Sequence, residues 1–384
     1  MTIVTVLSLI VWAGCLFAGS DLSRRRPLWN DELYTQINTN SALSYADLWT
    51  GKSIEGNNTP FFYVLQKALC ETMGCELKEK WNGEWFVQDA RAQIRLRILS
   101  NVFMSAAIAV LFFGVASLYP FPWAFLALAV FLTLPATWLY WVEARPYSLW
   151  ILLTVLQSVV ILKVLKKTTD TRKDLVQLLM INIFLSLTIT LGMLQACVAS
   201  AVLYFFKKGR WFVHLGLAAV PLALGSFYLG RSPKFKLWFN DGPARLVLDN
   251  VPLEYWVLMF LCFCLVLFQG VKDRKEVLKA WSEHAYLFFA GGISVLAMAL
   301  LGYLKVNAGS GDEGFAISSR YFLFLIPSSV IAVTLAVRYF HERSKDDPWL
   351  RLNLWVLVCG FLLLRAAKTY IGLLASGTFL HLIR

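Results

Sequence analysis

The feature that most constrains this chain is a succession of long apolar runs, of which Met104 to Leu118 and Phe121 to Val142 are the clearest. Runs of that length are what an α-helix needs to cross a hydrocarbon core about 30 Å thick. A closed barrel, the other spanning structure, would show short segments of alternating polarity, and the sequence has none. Composition agrees. Of the 384 residues, 58% are hydrophobic and 16% charged, whereas a soluble domain carries about 25% charged residues. The mean hydropathy is +0.60. The expected fold class is therefore all-α: a polytopic membrane helical bundle of about 11 transmembrane helices, one domain over residues 1–384.

Apolar runs and polar breaks place helices over about 2–19, 98–118, 122–141, 146–165, 174–190, 192–206, 211–229, 252–270, 285–304, 320–338 and 350–366. A last apolar stretch, 369–382, is too short to be assigned a span, and either dips into the interface or packs on the bundle. Met1 to Ser20 has the apolar core of a signal peptide but lacks a positive n-region and a clean cleavage site. It reads as a first membrane helix that is retained. No internal repeat or low-complexity segment is visible, and no separate soluble domain is expected after the last helix.

The net charge of +12 comes from short basic clusters between apolar runs, a membrane-topology pattern and not a nucleic-acid-binding face. Lys163, Lys166, Lys167, Arg172 and Lys173 form one cluster, and Lys207, Lys208 and Arg210 a second. Lys272, Arg274 and Lys275 form a third, and Arg338, Arg343 and Lys345 a fourth. With the helix count above, all four fall on one side, expected to be cytoplasmic. Residues 21–97, 230–251 and 305–319 then face the other way, together with the turn from Glu143 to Pro146. Arg24, Arg25 and Arg26 break the rule: either the long loop overrides them or they have another task.

That first extracytoplasmic loop, 21–97, is too long for a connector. Trp29, Trp49, Trp81 and Trp85, with apolar positions spaced for short amphipathic helices, suit juxtamembrane helices lying on the surface. Cys15, Cys197, Cys262, Cys264 and Cys359 fall within helices as small hydrophobes. Cys70 and Cys75 share a polar loop, and both a disulfide and free thiols fit their spacing.

Three constellations carry candidate chemistry. In Trp29-Asn30-Asp31-Glu32-Leu33-Tyr34, Asn30 or Asp31 suits a helix N-cap, and a carboxylate beside the bilayer suits a general base. Adjacent side chains diverge, so Asp31 and Glu32 are not expected to share one task. In Glu143-Ala144-Arg145-Pro146-Tyr147, Pro146 suits a first helical turn and presents Arg145 where a phosphate would bind. An internal Glu143–Arg145 ion pair, or Arg145 snorkelling to headgroups, reads equally well. In Ser318-Ser319-Arg320-Tyr321, Ser319 suits a cap, and a cation in a first turn opposes the helix dipole unless an anion sits there. Asp312 and Glu313 precede it. Lys234, Lys236, Asp241 and Arg245 form a mixed loop suited to headgroups or substrate, and Asn57-Asn58-Thr59 fits a glycosylation sequon. His214, His284, His341 and His381 lack ligand spacing, so no metal site is assigned. No phosphate-binding glycine loop or Ser/His/Asp arrangement is present.

Taken together, Asp31-Glu32, Arg95-Leu96-Arg97, Glu143-Ala144-Arg145-Pro146-Tyr147 and Ser319-Arg320-Tyr321-Phe322-Leu323-Phe324-Leu325-Ile326-Pro327 resemble the GT-C membrane glycosyltransferases. The branch resembled is the protein-mannosyltransferase-like group that includes the lipid A aminoarabinose transferases. The resemblance runs from the first helix to about residue 340. It implies transfer of a sugar from a polyprenyl-phosphate donor, undecaprenyl or dolichyl, to an acceptor hydroxyl outside the cytoplasm. It also implies a multi-pass protein of the bacterial inner membrane with its site facing the periplasm. Asp31 and Glu32 match the catalytic and acceptor-positioning pair, Arg145, Arg320 and Tyr147 the donor-phosphate site, and Glu143, Tyr321 and Arg97 further substrate contacts. Gln195 stands where many relatives have histidine. The acceptor (lipid, glycan or protein) stays open, as does a divalent cation bridging donor phosphate and Asp31. The competing expectation is a transporter or flippase of lipid-linked sugars, which would show repeats and charged groups at helix centres.

Overall fold

The computed structural model describes residues 2–52, 59–75, 77–79, 85–87, 90–167, 172–207, 211–232, 237–239, 243–258, 260, 281–307, 315–317 and 319–375. Asn57, Asn58, Lys234, Lys236, Asp241, residues 261–270 of the expected eighth helix, Cys262, Cys264, the third basic cluster, Asp312, Glu313, Ser318 and residues 376–382 lie outside them.

The chain opens with α1 (Thr2–Arg25), followed by the short α2 (Asn30–Thr35), a π-turn over Gln36–Ser41, α3 (Tyr45–Trp49) and α4 (Pro60–Met73). The strands β1 (Leu77–Glu79) and β2 (Trp85–Val87) pair antiparallel, and α5 (Ala90–Leu96) leads into α6 (Ile98–Leu118). Helices α7 (Phe121–Leu132), α8 (Pro135–Tyr140), α9 (Tyr147–Lys166), α10 (Arg172–Thr188), α11 (Gly192–Lys207) and α12 (Trp211–Arg231) follow. Then come β3 (Leu237–Phe239), α13 (Pro243–Leu248), α14 (Trp281–Asn307), β4 (Phe315–Ile317, parallel to β3), a 3₁₀ turn over Ser319–Phe322, α15 (Leu325–Arg343) and α16 (Pro348–Ala375).

Among the described residues, six helices are long and apolar enough to cross a membrane: α1, α6, α9, α12, α14 and α16. Their outer faces carry side chains that water would penalise, such as Phe17, Leu215, Val295, Leu357 and Leu363. Helix α9 is central. It is apolar on every side and buried along most of its length, packed on α6, α10, α11, α14 and α15, as a helix without a polar face must be. Its few polar groups knit neighbours together. The Trp150 indole donates to Gln195 on α11 at 2.7 Å, and Gln157 donates to Asn182 on α10 at 2.8 Å. Gln195 is thus a packing group within the bundle. Close approach of α6 needs small residues opposite: a Cβ on Gly114 would lie 2.6 Å from both Val159 methyls, and one on Gly19 would overlap the Asn101 amide.

Three expected helices are corrected. The run 122–141 is two helices broken at Thr133-Leu134, because Pro135 lacks an amide hydrogen and turns the residue before it to extended backbone. The carbonyls released by the break are retaken: Phe131 by the Thr137 hydroxyl at 2.9 Å, Leu132 by the Trp138 indole at 2.8 Å and Thr133 by Thr369 at 2.7 Å. The expected 320–338 helix begins as a 3₁₀ turn, with α15 proper starting at Leu325. The stretches 350–366 and 369–382 join in one helix as far as Ala375. Helix α1 also runs six residues beyond its expected end, to Arg25.

Candidate active site

The site forms where the C-terminus of α1 meets the N-termini of α6, α9 and α15. Arg97 precedes α6 and is fully buried. Its Nε and Nη2 hold the two oxygens of Glu32 at 2.9 and 2.6 Å. Its remaining donors go to the carbonyls of Ser23 (3.3 Å), Arg26 and Pro27 (2.8 Å) as the chain leaves α1. Gln93 on α5 donates to the same Ser23 and Arg26 carbonyls at 2.8 and 2.6 Å. Glu32 in turn accepts the backbone N–H of Ala144 at 2.8 Å and of Trp29 at 3.3 Å. Both charges are therefore paired and hydrogen-bonded, the condition for tolerating a buried ion pair. Glu32 caps α2 and ties it to the 141–146 turn, and the pair that the resemblance makes catalytic divides its labour: Glu32 supports the site from beneath.

Asp31, one residue earlier and so about 100° around the helix, points the other way, with 35% of its side chain exposed. Its Oδ2 accepts from Arg145 at 2.5 Å and from Arg320. The guanidiniums are only 8% and 10% exposed. Tyr147 lies beneath Arg145, its ring centre 5.3 Å from the guanidinium, and Trp29 and Tyr321 flank Arg320 at 5.9 and 5.7 Å. Arg145 pairs with Asp31, and the alternative Glu143–Arg145 ion pair is not found among the described residues. Glu143 is 2% exposed, and its Oε1 has no hydrogen-bond partner among the described residues. Burial pushes its carboxyl up to about 7 against the pull of Arg145; Glu32 adds to the rise, and Arg320 and Arg26 oppose it.

Local structure differs from expectation at three points. Trp29, not Asn30 or Asp31, is the N-cap of α2. Pro146 is the N-cap of α9 and not its first helical residue. Arg320 sits in the 3₁₀ turn, clear of the α15 dipole, and Ser319 meets the Tyr140 hydroxyl at 3.3 Å instead of capping. Arg26 has the other task expected of that run, donating to the Leu139 carbonyl behind the site, while Arg25 pairs with Asp21 at 2.9 Å. Gln93, Tyr140 and the Ala144 amide gave no sequence signal. Cys70 and Cys75 are free thiols, Cys75 packed against Leu96 and Ala144 under the same turn.

Two guanidiniums converging on one oxygen of a partly exposed carboxylate make an anion site in which a protein carboxylate stands where an anion's oxygen would be. Among the described residues no three His, Cys, Asp or Glu side chains converge as metal ligands. No protein-family model and no curated protein sequence matches this chain.

Proposed function

We propose that the protein is a membrane glycosyltransferase that moves a sugar from a polyprenyl-phosphate donor to an acceptor hydroxyl, with inversion at the anomeric carbon. The observation that carries the reading is Asp31, a half-exposed carboxylate held by Arg145 and Arg320 at the end of an apolar bundle. The donor's phosphodiester takes the two guanidiniums, its polyprenyl tail remains in lipid beside the helices, and Asp31 is released towards the acceptor. Asp31 accepts the hydroxyl proton as the acceptor oxygen attacks the anomeric carbon. The bond from that carbon to the phosphate oxygen breaks, and the phosphate leaves as a monoester whose extra charge the arginines stabilise. That leaving group is a stable anion, so no general acid is required. In this reading the bundle has about 11 spans in the GT-C manner, with the site on the extracytoplasmic face of the bacterial inner membrane.

The test is release of polyprenyl phosphate from a labelled polyprenyl-phosphate sugar by purified protein supplied with membrane extract as acceptor. Asp31→Asn is expected to lower turnover by roughly 10²–10⁴-fold, with unchanged elution and thermal unfolding in detergent. Full activity in that variant overturns the assignment of the base.

A further inference from the structure

Among the described residues, Glu143 is an acidic side chain of this site used neither by the reaction above nor in the Glu32–Arg97 support beneath it. It lies in the turn between α8 and α9, buried, with Oε1 unpartnered among the described residues. Such a group needs compensation, because a carboxylate taken out of water without hydrogen bonds is costly. Arginines on three neighbouring segments offset part of that cost. From its own turn it feels Arg145, from the 3₁₀ turn Arg320, and from the end of α1 Arg26; Glu32 on α2 opposes them. The neighbouring phenols are Tyr140 of α8 and Tyr147 of α9. Two of the three helpful cations, Arg145 and Arg320, are those already turned towards Asp31.

Resting on the reading of this site as a phosphodiester-binding glycosyltransferase centre, we propose that Glu143 is its proton-coupling residue. It is ionised in the free site and takes up one proton from solvent when an anionic donor settles on Arg145 and Arg320. Together with Asp31 the two guanidiniums leave one net positive charge beside Glu143; the anion cancels it, so the buried carboxylate loses that support and becomes a neutral acid. No covalent bond other than this O–H forms. After transfer the phosphate monoester leaves and the proton returns to solvent. The sign follows. A carboxyl held near 7 by burial is already partly protonated below that pH, so binding there needs little proton uptake. Above it, each binding event must draw a proton from a scarcer supply, and affinity falls by up to tenfold per pH unit. Glu143 is thus a charge-balancing residue that acts through Arg145 and Arg320 and not on the reacting atoms.

The experiment uses full-length protein in detergent and a short-chain prenyl methyl phosphate, a phosphodiester with no titration of its own near neutrality. Calorimetry between pH 6 and 8.5, in two buffers of different ionisation enthalpy, gives both Kd and proton uptake. Wild type is expected to weaken at least fivefold from pH 7 to 8.5 with net uptake of protons. Glu143→Gln, nearly isosteric and always neutral, is expected to bind with a flat pH profile and no uptake. A wild-type measurement without proton uptake overturns the inference even if the Gln variant fails to fold, and so does a Glu143→Gln profile as steep as wild type. If wild type binds no phosphodiester at any pH, the glycosyltransferase reading falls, and this inference with it.

Discussion

At the scale of single residues, adjacent carboxylates do opposite work because their surroundings differ. Glu32 is sealed between Arg97 and the Ala144 amide, and Asp31 meets solvent and two arginines. The acidic pair is visible in the sequence as a motif. Its division is not, because it is decided by partners 65 and 112 residues away for Glu32. The contrast has a measurable consequence. Arg97→Leu leaves a buried, uncompensated Glu32 and is expected to cost about 3–5 kcal/mol, read as loss of thermal stability in detergent. Asp31→Asn removes only a partly solvated charge and is expected to shift unfolding by less than about 1 kcal/mol. Equal destabilisation by the two would show that Asp31 is structural as well. Arg145 and Arg320 were legible as anion-seeking arginines; that both reach the same oxygen was not, since only packing brings them together.

Among the helices, the legible part was the apolar length, and the illegible part was where backbone breaks. Hydropathy carries 122–141 through as one run, because Leu134 and Pro135 are themselves apolar. The break depends on an absent amide hydrogen and on Thr137, Trp138 and Thr369 being placed to retake the carbonyls. Beyond α8 the chain turns and brings the Ala144 amide to the Glu32 carboxylate. Arg320 likewise lies in a 3₁₀ turn and not in the helix that hydropathy extends to it. Helix spacing yields its own prediction. Gly114→Leu places a branched side chain where even a Cβ lies 2.6 Å from Val159. Forcing α6 and α9 apart there is expected to destabilise by about 1–3 kcal/mol and to lower activity with it, in parallel melts and assays. An unchanged melt would mean the helices do not touch there.

Over the whole molecule, the site and a lysine cluster stand at opposite ends of α9. The site occupies one end, and Lys163, Lys167 and Lys207 gather at the other, where Lys163 and Lys167 hold Asp174 at 2.7 and 2.8 Å. A bundle inserted by its basic loops would present these ends to opposite compartments. In a background without native cysteines, Lys52→Cys, beside the end of α12, and Lys345→Cys, beyond α15, are expected to react with impermeant maleimide from opposite sides of sealed vesicles. Labelling from one side would overturn the orientation. The shared oxygen of Asp31 bears on biogenesis too. Arg145 follows Asp31 by 114 residues and Arg320 by 289. A ribosome therefore delivers the carboxylate to the membrane long before its second cation. Until residue 320 has been made, the nascent protein holds Asp31 with one arginine at most and its anion trap is incomplete.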